Sequence, residues 1–387
     1  MDYTSQKSSR RKLCRIQLVP ENPGPEERLQ QLRLARGGQR VAQTMMRIAV
    51  AGGGGFGYLL ALQLSQAAAV YNIVILSRSQ RPEFSQFDLQ LHVVDYSNPD
   101  SLTFALQGVD LVISTISGPE QLNLINASAI ARVRVFVPSE YEGSVSKRPS
   151  HDDPLDRGSM QALALLKYWE GSTGMRYTVF TCGIFMERFH PYGLGYLNIG
   201  YGTGVSGVGD YLVDFNNGTA EYAEKNARGH TVRVCLTSVY DVVRFIVAAI
   251  DLGPRNWPHE FTMRGDRMSV RDVVKTCSRV KNGKTPTLPA LAGRWEMLID
   301  SAGRPRIANL AFEHRVRQPY DLQALLNFSA QAGDAERLAR YKQLVATTNG
   351  RYGFSKASLN EILEKSGHAD VQPMNLTRWL TNVWQSL

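Results

Sequence analysis

The chain has 387 residues, 43% of them apolar and 20% charged, enough to bury a sizeable core in one large domain or two intimate ones. With 33 Gly and 9% aromatic residues, the composition excludes a disordered tail protein, a collagen-like repeat and a coiled coil. The net charge of +9 is concentrated in residues 1–45, which hold nine Lys/Arg against four acids; no basic stripe with interleaved aromatics follows, so no nucleic-acid partner is expected. No apolar run reaches 18 residues, so no membrane span is expected either. Cys14, Cys182, Cys235 and Cys277 never approach a CxxC spacing, which argues against a zinc site or a disulfide framework and for a reducing, cytoplasmic setting.

Residues 1–45 lack the apolar centre of a signal peptide and any sustained helical stripe. They read as an unstructured basic extension, with an Arg-rich mitochondrial presequence as the alternative. Met46 precedes the first convincing strand, so the folded unit is expected to begin there. Strands are predicted at Ile48–Ala51, Ile73–Leu76, Leu91–Val94, Leu111–Ser114, Val135–Pro138 and Thr178–Thr181. Between them, Tyr58–Gln66, Ser101–Leu106, Gln121–Ala131 and Gln161–Glu170 read as helices. This alternation predicts an α/β fold: a doubly wound parallel Rossmann sheet with a smaller, mostly helical C-terminal substrate domain.

After Thr181 the period breaks. Seven Gly between 193 and 209 suit turns and short strands, and Thr231–Thr237 with Val239–Ile250 looks like one more strand and helix returning to the sheet. Beyond Trp257 the chain reads as mostly helical, with Ser269 capping a helix that has Asp272 at its third position, then Asp321–Phe328, Asp334–Thr347 and Lys356–Lys365. The expected organisation is a tail (1–45), a cofactor domain (46–182, rejoined by 228–255) and a substrate domain (183–227 and 256–387).

The sharpest chemical signal lies directly after the first strand. Gly52, Gly54 and Gly57 satisfy GxGxxG between an apolar strand and a helix, with Gly55 and Phe56 inside the loop. A tight turn needs Gly52, Gly54 lets backbone N–H groups approach a pyrophosphate, and Gly57 lets helix pack on strand. An NAD site usually ends its second strand in Asp or Glu to hold the ribose 2′-hydroxyl. Here Ser77 and Arg78 stand in that place, and a guanidinium suits a 2′-phosphate, so NADPH is expected over NADH.

Ala49–Gly57, Leu76–Arg78, the stretch from Val94 to Ser114 and Phe136–Tyr141 together resemble the NmrA-like and isoflavone-reductase-like branch of the atypical short-chain dehydrogenases. The resemblance covers roughly residues 46–260, and Gly350-Arg351-Tyr352 extends it more loosely toward fungal members. It implies an NADP(H)-binding Rossmann domain with a substrate region over the strand ends. Ser114, Thr115 and Ile116 would then line the nicotinamide side, and Pro138, Ser139 and Glu140 would frame the cleft. The plant reductases of this group carry a catalytic lysine whose position falls near Ala162; Lys167 lies more than a helical turn later. A Tyr-x-x-x-Lys pair occurs only at Tyr3/Lys7 and Tyr352/Lys356.

With that lysine missing, His190 and Tyr141, which follow strand ends, are the expected proton donors, and Lys167 is a distant third. Glu187 and Arg188 read as a surface pair, Cys182 as a buried small residue, and Asp152-Asp153 as a solvated loop without metal-ligand company. Three functions fit. The first is an NADPH-dependent reductase of a hydrophobic small molecule, such as an aromatic or polyketide-like secondary metabolite. The second is an NAD(P)-sensing regulator that binds another protein, and the third a non-redox isomerase or cyclase reusing the cleft. Oligomeric state is not written in the sequence.

Overall fold

A computed structural model describes residues 45–66, 71–87, 89–149, 151, 153–200, 208–283, 312–368 and 371–385. The expectations for residues 1–44, Asp152 and most of the glycine-rich stretch after Gly200 lie outside the described residues.

The described elements begin with β1 (Arg47–Ala51), α1 (Gly55–Ser65), β2 (Asn72–Ser77), β3 (Gln90–Val93), α2 (Pro99–Ala105), β4 (Leu111–Ser114), α3 (Pro119–Ile130), β5 (Val135–Val137), α4 (Ser159–Thr173) and β6 (Arg176–Tyr177). The strands form a six-stranded parallel sheet in the order β3-β2-β1-β4-β5-β6. Successive residues of a strand face opposite sides. Ile48 and Val50 therefore enter a core shared with α1, while Ala49 and Ala51 enter the core under α2, α3 and α4. Both faces are covered, which is why β1, β2 and β4 carry almost unbroken apolar runs. The order reverses between β1 and β4, and the crevice beyond their carboxyl ends is where open α/β sheets take their ligands.

The expected sixth strand divides. Only Arg176–Tyr177 pairs with β5, while β7 (Val179–Thr181) pairs in parallel with β12 (Glu260–Thr262). The strand at 231–237 does not rejoin the main sheet: β11 (Arg233–Thr237) lies between β8 (Ile184–Phe185) and β13 (Asp266–Ser269). Its helix does return, since α5 (Val239–Asp251) places Val242, Phe245, Ile246 and Ala249 in the core with α1. A further sheet joins β9 (Val213–Asp214), β10 (Thr219–Tyr222) and β14 (Glu313–Val316). The region past Trp257 therefore holds strands as well as helices; Glu313–Val316 is exposed along its length and offers no alternating pattern to read.

The C-terminal helices are α6 (Val270–Gly283), α7 (Pro319–Gln331), α8 (Ala335–Thr348), α9 (Ser358–Lys365) and α10 (Leu376–Gln385). Ser269 and Asp272 form the expected reciprocal cap of α6: the Asp272 N–H donates to Ser269 Oγ at 3.1 Å, and that hydroxyl donates to Asp272 Oδ2 at 2.6 Å. Residues of α6, α8 and α10 share a third core with β11. No helix among the described residues is long and apolar enough to cross a membrane.

Candidate active site

One cavity of about 820 Å³ opens over the β1–β4 crevice, and the glycine turn forms part of its wall. Gly52 has φ +109°, and a Cβ there would collide with the Thr115 hydroxyl. A Cβ on Gly57 would collide with the carbonyl oxygen of Gly52, so helix and strand approach closely, as the motif requires. Thr115 braces the turn: its hydroxyl donates to Ala51 O at 2.9 Å and its N–H to the same oxygen at 2.8 Å. Gly54, the N-cap of α1, has open space where a side chain would be. No side chain caps this helix start and no acid stands in its first turn, which leaves its positive end for an anion.

Ser77 and Arg78 also line the cavity. Arg78 is exposed, and among the described residues it has no ion-pair partner. Sequence reasoning missed its companion Arg81, a second guanidinium lining the same end, 3.5 Å from Glu83. It also missed Tyr96, which donates to Leu76 O at 2.9 Å and closes the floor. These donors and the open glycine turn fit a dinucleotide with a 2′-phosphate.

Of the residues expected around the nicotinamide, Thr115, Ile116, Ser139 and Glu140 reach the cavity, together with Phe56 and Tyr141. Ser114 and Pro138 stand behind it: Ser114 O accepts from the Tyr141 hydroxyl at 2.9 Å, and Pro138 O from the Glu140 N–H at 2.8 Å. The Ser139 N–H is held by Gln121 Oε1 at 2.7 Å. Burial pushes the Tyr141 phenol well above its usual range, so it stays protonated, and its ring lies 4.4 Å from that of Phe56.

His190 and Lys167 are not brought to the cleft. The His190 imidazole stacks on Tyr196 at 3.8 Å, and its Nδ1 accepts from the Tyr192 N–H at 3.1 Å. Burial lowers its pKa to about 4, so near neutral pH it has no proton to give as an acid. Lys167 projects from α4 into solvent. Ala162, near the family's lysine position, is fully buried in the core beneath α4. The cleft face of α4 is instead its first residue, Ser159, whose hydroxyl donates to Glu140.

A buried charge network borders this wall. Arg148 reaches Glu140 at 2.7 Å and Glu142 at 3.2 Å; Arg351 reaches Asp153 at 2.6 Å and also pairs with Glu142. Asp153 therefore does not belong to a solvated loop. Burial raises the Glu140 carboxyl against the opposing pull of Arg148. Nor are Glu187 and Arg188 a surface pair. Glu187 is fully buried and accepts from Ser238 Oγ at 2.7 Å and the Val239 N–H at 2.9 Å, while Arg188 binds Asp210 at 2.8 Å. Cys182 is fully buried, as expected. Among the described residues no group of three His, Cys, Asp or Glu is placed to hold a metal ion.

The other wall of the cavity comes from Ile184 and Phe185, from Leu194 and Ile199, and from one face of α8. The helix was legible in the sequence. Its position over the strand ends was not, because it depends on the packing of distant segments.

No protein-family model matches the chain. It is 28% identical over 255 residues to oxidoreductase BOA1 of Botryotinia fuckeliana (strain B05.10), covering 63% of this chain and 79% of that protein. It is 26% identical over 264 residues to isoflavone reductase homolog A622 of Nicotiana glauca, covering 63% and 77%. Among solved structures, AtPrR2 with NADP+ and (+)pinoresinol superposes with a TM-score of 0.59 at 16% identity, covering 88% of this chain and 99% of that one. The fold is thus of the Rossmann type, and the sequence relatives are an oxidoreductase and an isoflavone reductase homolog.

Proposed function

We propose that this chain, a relative of the isoflavone-reductase-like oxidoreductases, is a cytoplasmic NADPH-dependent reductase of a hydrophobic small molecule in secondary metabolism. The observation that carries this reading is the continuity of one cavity from an uncapped glycine turn flanked by Arg78 to an apolar wall. Residues 46–182 and 228–255 serve the cofactor in this reading, and residues 183–227 and 256–387 serve the substrate.

NADPH, when bound, supplies a hydride to a carbonyl or conjugated carbon. The chain's own residues do the rest. The start of α1 and Arg78 bind and orient the phosphates. Phe56 and Phe185, stacked 6.3 Å apart, and Tyr141 exclude water from the reacting end. The oxygen that gains charge needs a proton, and of the three expected donors only Tyr141 lines the cleft. To deliver its proton, the phenol must release Ser114 O, which costs about 1 kcal/mol for a single hydrogen bond.

Calorimetric titration of wild type and Arg78→Ala with NADPH and NADH tests the cofactor assignment. Wild type should prefer NADPH, and Arg78→Ala should lose about tenfold or more for NADPH alone, the effect of one charge-assisted contact. Equal affinities for the two cofactors in wild type would overturn it. NADPH oxidation with a panel of quinones and aromatic carbonyls tests turnover.

A further inference from the structure

Helix α8 supplies a wall that none of the expected site residues occupies. Ala335, Leu338, Ala339 and Lys342 follow at three- and four-residue spacing, so they form one strip along the helix, and this strip faces the cavity. The opposite face of α8, with Tyr341 and Leu344, is buried in the core, which fixes how the helix is rotated. Three members of the strip are small or apolar, and the fourth ends in an ammonium.

The described charges around Lys342 leave it without an acid. Of the carboxylates along the cavity, Glu140 and Glu142 are engaged by Arg148 and Arg351, and nearby Asp210 by Arg188. Glu120, which also lines the cavity, belongs to the first turn of α3 next to the β4 end of the cofactor crevice. Among the described residues Lys342 has neither an ion pair nor a hydrogen bond, although it is half-buried. Arg78 and Arg157 are the other lining cations without an acidic partner among the described residues, and both are exposed.

The neighbouring Gln343 adds a second donor. Its Oε1 accepts from Arg188 Nη1 at 3.2 Å and from the Tyr352 hydroxyl at 3.2 Å. A guanidinium can only donate, so the amide is held with its oxygen toward Arg188 and its NH2 turned the other way. Among the described residues that NH2 has no acceptor, and Gln343 lines the cavity. Asp210 fixes Arg188, Arg188 fixes Gln343, and among the described residues nothing is supplied for the two donors to hold.

We propose that Lys342 Nζ and Gln343 Nε2 receive a carboxylate, and that the substrate is a hydrophobic acid whose apolar body lies along Ala335, Leu338 and Ala339. A carboxylate has an oxygen for each donor and is ionised near neutral pH, whereas a phenol is not. This assignment rests on the reading of the cleft as a reductase's and names the class of substrate that enters it.

The test uses the full-length chain saturated with NADP+ and matched pairs of aromatic carboxylates and their primary amides, such as 2-naphthoate with 2-naphthamide, followed by ligand-observed NMR. The acids should bind about tenfold more tightly than the amides, as a charge-assisted contact confers. Lys342→Met should erase the difference and Lys342→Arg should retain it, with NADP+ affinity within about twofold of wild type throughout. Amides that bind as well as acids in wild type would overturn the assignment, and so would a panel in which no acid binds below about 10 mM, weaker than a single useful contact provides. If NADP+ binds normally and the acids show no preference, the carboxylate assignment alone falls. Failure of NADP+ to bind would bring down the reductase reading with it.

Discussion

Replacing Arg351 by Met removes the guanidinium that joins the C-terminal part of the chain to the cleft wall. The side chain is 1% exposed and pairs with Asp153 and Glu142, which are 198 and 209 residues earlier. Its backbone carbonyl, which accepts from the Ser144 N–H at 2.9 Å, is untouched by the substitution, so the change isolates the side chain. Glu142 keeps Arg148 at 3.2 Å. Asp153, with a side chain only 2% exposed, keeps among the described residues only the Leu155 N–H at 3.0 Å. Breaking a buried pair by removing one partner costs about 3–5 kcal/mol, and the remaining Glu142–Arg148 contact favours the lower end, about 3 kcal/mol. For a unit spanning residues 45–387, the unfolding entropy is roughly 0.7 kcal/mol per degree, so the melting temperature should fall by about 4 °C. Calorimetry on wild type, Arg351→Met, Asp153→Asn and the double variant reads both the loss and the coupling. In the Asp153→Asn background the Arg351 substitution should cost at least about 1 kcal/mol less. A single variant that melts within a degree of wild type, or a cycle with no coupling, would refute the reasoning.

His190→Ala should leave turnover and NADPH affinity near wild type, because the imidazole is stacked on Tyr196 away from the cavity; a drop of about 10²-fold, the usual loss for a general acid, would restore its catalytic reading. Tyr141→Phe should lower turnover by about that factor with cofactor affinity unchanged, and full activity would remove the phenol from the mechanism. Glu187 has its pKa raised from 4.5 to about 7, chiefly by burial, so the folded chain holds a proton that the unfolded chain releases. Its contribution to stability is therefore fully present below pH 4.5 and is lost as pH rises through about 7, by up to roughly 3 kcal/mol. Denaturant titrations of wild type and Glu187→Gln at several pH values should show wild type losing ground across that window; a constant difference would contradict the assignment.

The Rossmann half was readable because its signals are local. Alternating apolar runs and a glycine turn between strand and helix lie within a few residues of what they shape, and Arg78 sits next to the strand whose end it marks. The errors came where distant segments decide. His190 follows a strand end, as a proton donor should, but Tyr196 six residues later captures its ring. Asp153 looked like part of a polar loop because its partner is nearly two hundred residues away. The strand at 233–237 has the right composition for the main sheet, yet the parallel ladder ends at a two-residue β6 and the later strands pair among themselves. Lys342 gave no signal at all, since a lysine on an amphipathic helix ordinarily faces water.

The place of Arg351 also bears on the order in which the protein can be made. Glu140, Glu142 and Asp153 emerge from the ribosome long before the guanidinium that engages two of them, and Cys235 likewise waits for Tyr352 O, to which its N–H donates at 2.7 Å. During synthesis the early βαβ units can assemble, as N-terminal segments generally do, but the cleft wall stays electrostatically incomplete until residues beyond 350 have left the exit tunnel. A nascent chain halted before that point therefore leaves Asp153 without its guanidinium, while Glu140 and Glu142 already have that of Arg148.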